Sequence, residues 1–335
     1  MYPKLVIDLK KLEHNTKVIV DKYDFPIMGV TKCFCAEPEA VKAMINGGIG
    51  YLADSRIENL MKIETSLEKV LLRLPMISQL ELVVQEADIV LISEIETIKK
   101  MNEYASKINK VMKIVLMFDL GDLREGIWYE DDFGFVSELL ELNHIDVYGI
   151  GVNLTCYGGI IPTKKHIDML LKIKEDLTKL GANIRMVSGG NSSSLYLDDV
   201  SGINNLRIGE AILLGRETAY GKLMDGMYDD VFMLEAEVIE ADNKPSHPVG
   251  DIGMDAFGNV PSFVDRGNID RAILAVGKQD VDIDSLYYDG QILGASSDHL
   301  MIEGKYQVGD IVRFKLGYGG LLAVATSPYV EKEVK

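Results

Sequence analysis

Residues 26–54 read PIMGVTKCFCAEPEAVKAMINGGIGYLAD and contain the clearest fold signal in the chain. An apolar run at residues 26–32 is followed by helical spacing at residues 37–46 and by a second apolar run at residues 51–54. Apolar strands that alternate with helices are typical of a parallel sheet covered on both faces. The stretch therefore predicts one strand–helix–strand unit of such a sheet.

The same alternation continues along the first two thirds of the chain. Six further strand-like runs occur at residues 70–75, 89–93, 113–119, 147–153, 185–190 and 205–209. Helical spacing recurs at residues 55–66, 95–107 and 163–180. Eight strands that alternate with helices over about 200 residues predict a (β/α)8 TIM barrel. An open, doubly wound parallel sheet is the alternative.

The pattern changes after residue 225, where glycine and aspartate become dense and long helical periodicity ends. Strand-like runs follow at residues 231–239, 271–276, 291–293, 311–316 and 321–325. They predict a C-terminal all-β domain. We therefore expect a barrel domain at residues 8–225 and a β domain at residues 226–335, which residues 1–7 are candidates to join.

The composition excludes several classes of protein. Of 335 residues, 47% are hydrophobic and 26% are charged, which is typical of a globular protein and not of a disordered one. No apolar run is long enough to span a bilayer, and the N-terminus has no signal-peptide pattern, so we expect a cytoplasmic protein. Three cysteines form no disulfide framework, and no histidine pair has the spacing of metal ligands, so we expect no metal. The net charge of −17 disfavours nucleic acid and membranes as partners.

Two groups of residues at the predicted strand ends indicate a cofactor. In such barrels the catalytic residues lie at the carboxyl ends of the strands. Lys32 closes the first apolar strand, where its amine can attack a carbonyl carbon. The turn at residues 189–194 and the segment at residues 208–211 offer backbone N–H groups and hydroxyls for a phosphate after the seventh and eighth strands. A lysine together with a phosphate site points to pyridoxal 5'-phosphate, which has both an aldehyde and a phosphate.

Several motifs in their order resemble the alanine racemase family, and most closely its ornithine racemase branch. Val30-Thr31-Lys32 is similar to the family's cofactor-lysine segment, and Asp119-Leu120-Gly121-Asp122-Leu123-Arg124 resembles its Asp-x-Gly-x-x-Arg element. Asn191-Ser192 resembles its phosphate-binding pair, and Leu206-Arg207-Ile208-Gly209 its last barrel strand. For the branch, the similar stretches are residues 153–159, 250–258 and 294–299. The resemblance covers nearly the whole chain and implies a TIM barrel followed by a β domain.

The resemblance also implies how a cofactor and a substrate would be held. The cofactor-binding residues it assigns are Lys32, Asn153, Ser192, Arg207, Gly209, Glu210 and Tyr329. Lys32 would bind the aldehyde and serve as one acid/base, and Arg207 would face the pyridine nitrogen. Ser192, Tyr329 and the backbone of Gly209 and Glu210 would bind the phosphate. Arg124 would lie near the substrate carboxylate, while Asn153 stands where the alanine enzymes have a histidine.

The chain departs from the alanine enzymes at the second catalytic position. Racemisation by two bases needs an acid/base on each face of the α-carbon. Asp251 stands where those enzymes have a tyrosine donated across the dimer, and Cys156 and Tyr157 are further candidates. Asp251, Asp255 and Asp298 are also candidates to bind the distal ammonium of a longer substrate. The resemblance thus implies an ornithine racemase, or a racemase of a related basic amino acid, that works as a homodimer in which the β domain completes the partner's active site.

Other functions stay open at this point. They are a racemase of alanine, lysine or serine, and a non-catalytic pyridoxal-phosphate carrier. A cofactor enzyme that performs aldol cleavage or decarboxylation, and an unrelated barrel with a reactive lysine and no cofactor, are also compatible with the residues. The carrier is disfavoured because such proteins resemble the barrel alone, whereas this chain continues for about 110 residues of predicted β structure.

Overall fold

The computed structural model describes all 335 residues and contains 17 strands and nine α-helices. The strands are β1 Lys4–Ile7, β2 Ile27–Val30, β3 Tyr51–Asp54, β4 Lys69–Leu71, β5 Ile89–Ile92, β6 Met112–Asp119, β7 Ile127–Trp128, β8 Ile145–Val152, β9 Met186–Ser188, β10 Leu206–Ile208, β11 Phe232–Pro245, β12 Asn268–Leu274, β13 Leu286–Tyr287, β14 Gln291–Ala295, β15 Leu300–Glu303, β16 Ile311–Leu316 and β17 Glu331–Val334. The helices are α1 Leu9–Asp21, α2 Pro38–Asn46, α3 Ile57–Leu60, α4 Leu80–Glu86, α5 Ile95–Lys107, α6 Val136–Leu140, α7 Lys164–Lys179, α8 Glu210–Leu214 and α9 Tyr318–Thr326. The chain divides into two units, one of residues 9–229 and one of residues 1–8 and 230–335.

The unit of residues 9–229 is a parallel barrel. Its eight main strands follow the order β10-β2-β3-β4-β5-β6-β8-β9, and β7 is added beside β6. The ring closes between β9 and β10 through a single parallel bridge of Ser188 with Asn205. The predicted TIM barrel with a C-terminal β domain is thus confirmed, and the open doubly wound sheet is excluded.

The barrel interior explains why its strands are apolar along their whole length. Inward side chains from six of the strands form one buried cluster, made of Met28, Val30, Ala53, Val70, Ile89, Leu91, Val115, Met117 and Met186. Helices cover the outside with one apolar face each, as α7 does with Ile167, Leu170, Ile173 and Leu177. A strand buried on both faces loses the polar–apolar alternation of a half-exposed strand.

The unit of residues 1–8 and 230–335 is built on antiparallel strands. Its main path is β13-β16-β11-β12-β15-β14, and β1 joins it by pairing with β11 and, in parallel, with β17. Between β11 and β12 lies a loop in which all residues from 248 to 260 are exposed. No helix in either unit has the length and apolar character needed to cross a membrane.

Two local predictions are wrong. The predicted helix at residues 55–66 is reduced to the single turn α3, because a 3₁₀-like turn and polar residues follow Leu60 before β4. The predicted strand at residues 321–325 lies inside helix α9, where Leu321, Val324 and Ala325 are buried at helical spacing. A short apolar run does not by itself distinguish a strand from a buried helix.

Candidate active site

The polar residues singled out in the barrel come together because all eight strands run in the same direction. Lys32 follows β2, Asn153 follows β8, Ser192 lies in the turn after β9, and Arg207 is in β10. Since the carboxyl ends of parallel strands open on one face of a barrel, these side chains share its mouth. Hydrogen bonds directly join the loops that follow β8, β9 and β10.

Lys32 begins a short helical turn immediately after β2 and is half-buried. Its ammonium has no hydrogen-bond or ion-pair partner in the chain. The preceding Thr31 is fully buried and donates its hydroxyl to Oδ2 of Asp54 at 2.7 Å. Asp54 is also fully buried and accepts from the Arg56 N–H and from Asn59. A buried polar network therefore fixes the backbone that carries an uncommitted amine.

The loops after β9 and β10 form a cradle of N–H groups. Oγ of Ser192 accepts from the backbone N–H of Ala211 at 3.2 Å, which joins the turn after β9 to the start of α8. The Ser193 hydroxyl is fully buried and has no hydrogen-bond partner. A Cβ on Gly190, whose φ is +131°, would lie 2.4 Å from Oγ of Ser194. The turn thus needs glycine and leaves hydroxyl and N–H groups for an oxyanion.

Glu210 begins α8 beside this cradle. Burial raises the pKa of its carboxyl to about 7, and the nearby charge of Lys32 opposes that rise. Below pH 7 the side chain is therefore mostly neutral in the folded protein. A neutral carboxyl does not repel a phosphate bound at the neighbouring N–H groups.

Arg207 is a buried cation, only 4% exposed, at the floor of the mouth. Its guanidinium donates to the Val152 carbonyl at 2.6 Å, to the Ser188 hydroxyl at 2.5 Å and to Oδ1 of Asn153 at 2.7 Å. Burial lowers the pKa of Arg207 to about 10, so the group is still charged at neutral pH. It can donate hydrogen bonds there but does not release a proton.

Arg124 and Asn153 meet at a residue that the sequence analysis did not single out. Glu125 pairs with the guanidinium of Arg124 through both carboxylate oxygens, and its Oε1 accepts from Nδ2 of Asn153 at 2.5 Å. The chain of contacts therefore runs from Arg124 through Glu125 and Asn153 to Arg207. Glu125 directly follows the Asp-x-Gly-x-x-Arg element, so its position next to Arg124 could have suggested a role in the site. Its contact with Asn153, in the loop after β8, depends on the fold and could not be predicted from the sequence.

The loop that carries Cys156 and Tyr157 is held by a second residue missed in the sequence. Asp122 is buried, and its carboxylate accepts the backbone N–H groups of Cys156 at 3.1 Å, Tyr157 at 2.9 Å and Ile160 at 3.2 Å. Nδ2 of Asn191 lies 3.3 Å from the Cys156 sulfur. The structure therefore brings Cys156 to the phosphate-type turn, whereas the Tyr157 side chain is 75% exposed.

The remaining candidates lie in the β unit. Asp251 and Asp255 are in the exposed loop after β11, and Asp255 accepts the N–H groups of Phe257 and Asn259, both at 2.9 Å. Asp298 accepts from the hydroxyls of Ser296 and Ser297. These hydrogen bonds lower the pKa of both carboxyls, so they are anionic at neutral pH.

Tyr329 lies between α9 and β17. Tyr329 is 65% exposed, and its backbone N–H donates to Ser327. No group of three or more histidine, cysteine or acidic side chains is arranged to bind a metal ion in the structure. The part that the β-unit residues play in the site stays a prediction.

The barrel residues fit a cofactor that has an aldehyde, a phosphate and a heteroaromatic ring. Lys32 offers an unpaired amine for the aldehyde. The turn with the unpartnered Ser193 hydroxyl offers hydrogen bonds for the phosphate. Arg207 offers a charged donor for a ring nitrogen. Lys32, the turn at residues 189–194 and Arg207 therefore have the chemistry that such a cofactor would require.

Comparison with known proteins points to one family. A family model, "Alanine racemase, N-terminal domain", matches residues 7–217. The chain is 47% identical over 352 residues to an ornithine racemase of Acetoanaerobium sticklandii, with 100% of both chains covered. It is 42% identical over 350 residues to a lysine racemase of Thermotoga maritima, covering 99% of this chain and 98% of that one.

Solved structures agree in fold. Alanine racemase from Streptomyces lavendulae has a TM-score of 0.80 at 14% identity, with 100% of this chain and 98% of that chain covered. Alanine racemase from Bartonella henselae, solved with covalently bound pyridoxal phosphate, has a TM-score of 0.76 at 16% identity, with 100% of both chains covered. The predicted family is confirmed by the match over more than half of the chain and by two relatives along its full length. This chain belongs to the alanine racemase family.

Proposed function

We propose that this protein is a pyridoxal-phosphate-dependent racemase that interconverts L- and D-ornithine or a related basic amino acid. We infer the substrate class from the full-length similarity to two proteins that are named ornithine racemase and lysine racemase. Both amino acids have a second, distal amino group. The net charge of −17 favours a substrate with an extra positive charge over alanine or serine.

Lys32, Ser192, Arg207, Asn153, Tyr329 and the backbone of Gly209 and Glu210 would hold the cofactor. Pyridoxal phosphate, when bound, supplies an electron-withdrawing ring that makes the α-proton of the amino acid acidic. The Lys32 amine takes or returns that proton on one face of the α-carbon. Thr31, held by the buried Asp54, keeps the lysine backbone in place during the transfer.

Arg207 sets the electronic character of the site. Its guanidinium would donate a hydrogen bond to the ring nitrogen of the bound cofactor and would keep its own protons, so it would not protonate that nitrogen. Arg207 would in this way leave the ring a weaker electron acceptor, which favours rapid return of the proton over slower side reactions. Racemisation needs only the removal of the α-proton from one face and the return of a proton to the opposite face.

The second face of the α-carbon needs a second acid/base, and three residues compete for the role. Cys156 is supported by its contact with Asn191 and by the Asp122 carboxylate that fixes its backbone. Tyr157 shares that loop. Asp251 has the sequence position of a group donated by the β domain of a partner chain. Arg124 would bind the substrate carboxylate, and Asp251, Asp255 and Asp298 are the candidates to bind the distal ammonium.

We also propose an obligate homodimer in which the β domain of each chain completes the partner's site. The exposed loop after β11 supports it, because Val249, Met254 and Val264 are 95%, 77% and 76% exposed. Large exposed apolar side chains in one segment are typical of an interface. Sedimentation of the cofactor-loaded protein at assay concentration should give a dimer, and a fully active monomer would contradict this proposal.

Incubation of the purified protein with pyridoxal phosphate and L-ornithine tests the function. Chiral chromatography should show D-ornithine rising to an equal mixture, because enantiomers have the same free energy. L-lysine, L-alanine and L-serine assayed in parallel should react at least about tenfold more slowly, with lysine the fastest of the three. A protein that binds the cofactor and exchanges no α-proton of any amino acid would instead be a carrier.

A further inference from the structure

Glu125 occupies an unusual position between two arginines of the site. Its side chain is 18% exposed, and it pairs with Arg124 through both oxygens. It also accepts from Nδ2 of Asn153 at 2.5 Å. Asn153 in turn accepts from Nη2 of Arg207 at 2.7 Å. One carboxylate is therefore connected to both cations, directly to Arg124 and through a single amide to Arg207.

These contacts determine the orientation of the Asn153 amide. A guanidinium only donates hydrogen bonds, and an ionised carboxylate only accepts them. The oxygen of the amide must therefore face Arg207, and its NH₂ group must face Glu125. The reversed amide would place donor against donor at Arg207 and acceptor against acceptor at Glu125.

Glu125 also supplies negative charge to a cation that has no carboxylate in contact. The other acceptors of Arg207 are the Val152 carbonyl and the oxygens of Ser188, all of them neutral. Burial lowers the pKa of Arg207, and the negative charge of Glu125 is among the influences that oppose that change. A carboxylate one amide away reduces the cost of keeping the buried guanidinium charged.

We propose that Glu125 is a positioning residue that fixes the Asn153 amide against Arg207 and holds Arg124 in place for the substrate carboxylate. This inference rests on the proposed function, because it assigns Arg207 to the cofactor ring and Arg124 to the substrate. Glu125 would connect the arginine that faces the cofactor ring with the arginine that binds the substrate carboxylate. Glu125 itself touches neither the cofactor nor the reacting atoms in this assignment.

Two substitutions separate the two contacts. In Glu125→Gln an amide oxygen at the Oε1 position still accepts from Asn153 and from Nη2 of Arg124, but the new NH₂ group faces Nε of Arg124 as donor against donor. We expect an unchanged visible absorption band of the bound cofactor and a KM for the amino acid about tenfold higher, with kcat nearly unchanged. In Glu125→Ala both contacts are lost, so the band should shift in position or in its pH profile and kcat should also fall about tenfold.

Glu130 provides the matched control, because it lies five residues further along and contacts only the surface side chains of Trp128 and Tyr129. Glu130→Gln and Glu130→Ala should leave KM, kcat and the absorption band unchanged. In an Asn153→Ala background, Glu125→Ala should shift the band no further, since Glu125 acts on the ring through Asn153.

The outcomes distinguish this inference from the proposed function. An unmodified protein that binds no cofactor or racemises no basic amino acid overturns the proposed function and this inference with it. An active unmodified protein whose Glu125→Ala variant has the same KM, kcat and absorption band overturns the positioning role alone. If Glu125→Ala does not fold, the split between KM and kcat in Glu125→Gln decides, and an unchanged KM there contradicts the role at Arg124.

Discussion

Replacement of Lys32 with alanine is expected to lower kcat/KM for racemisation by at least about 10³-fold. General acid–base catalysis by one positioned group contributes about 10²- to 10⁴-fold, and Lys32 would also be the covalent attachment point of the cofactor. The variant should lose the visible absorption of the bound cofactor after dialysis. Exchange of the substrate α-proton in heavy water, followed by proton NMR, measures the lost step directly.

The same substitution should hardly change the stability of the cofactor-free protein. The Lys32 ammonium has no partner in the chain, so its removal should change the free energy of unfolding by less than about 0.5 kcal/mol. Lys42→Ala is the control, because this exposed lysine of α2 pairs only with Glu39 and should keep full activity. A Lys32→Ala variant that keeps a tenth of the normal rate would refute the assignment of the catalytic lysine.

Replacement of Arg207 with methionine should have the largest effect on stability. Methionine has a similar length but makes none of the hydrogen bonds to Val152, Ser188 and Asn153. Each buried acceptor left without a partner costs about 1–3 kcal/mol, so we expect the free energy of unfolding to fall by about 2–4 kcal/mol. The expected fall in unfolding free energy is smaller than the sum over the three acceptors because the substitution also removes a buried charge. The cost of desolvating that charge is then no longer incurred on folding.

Urea unfolding of the cofactor-free protein measures this change. Arg216→Met provides the comparison, since Arg216 is 45% exposed and pairs with Asp229 at the surface. It should change the unfolding free energy by less than about 1 kcal/mol. An Arg207→Met protein as stable as the unmodified one would show that the hydrogen bonds of Arg207 do not stabilise the barrel. The cofactor affinity of the variant, measured by its visible absorption, should also fall.

The barrel could be predicted from the sequence because its strands are buried on both faces. Each of the eight apolar runs overlaps a strand of the structure, from β2 at residues 27–30 to β10 at residues 206–208. Helix α5 occupies the residues predicted for it, and α7 is one residue shorter at each end. The apolar run at residues 321–325 predicted a strand, but these residues lie in helix α9. A local pattern does not show which distant residues will bury a segment, so it could not distinguish the two structures here.

In the barrel part of the site, only residues at or near the ends of the predicted strands could be identified from the sequence. Lys32, Asn153, Ser192 and Arg207 follow or occupy strands, so a parallel barrel brings them to one face whatever their separation in sequence. Asp122 and Glu125 could not be assigned in this way. Both act on residues 28 to 38 positions away, in the loop after β8, and only the folded chain brings those backbone and side-chain atoms within hydrogen-bond distance.

The fold class and the family could be predicted from the sequence alone, together with a candidate lysine and a candidate phosphate-binding turn, because periodicity and short motifs are local properties of a chain. The connections among these parts became visible only in the folded chain. The tertiary structure joined Ser192 to the start of α8, oriented Asn153 between Glu125 and Arg207, and left the Lys32 amine without a partner. Hydrogen bonds require distances of about 3 Å and defined angles, and no spacing in a sequence specifies these between residues on different strands.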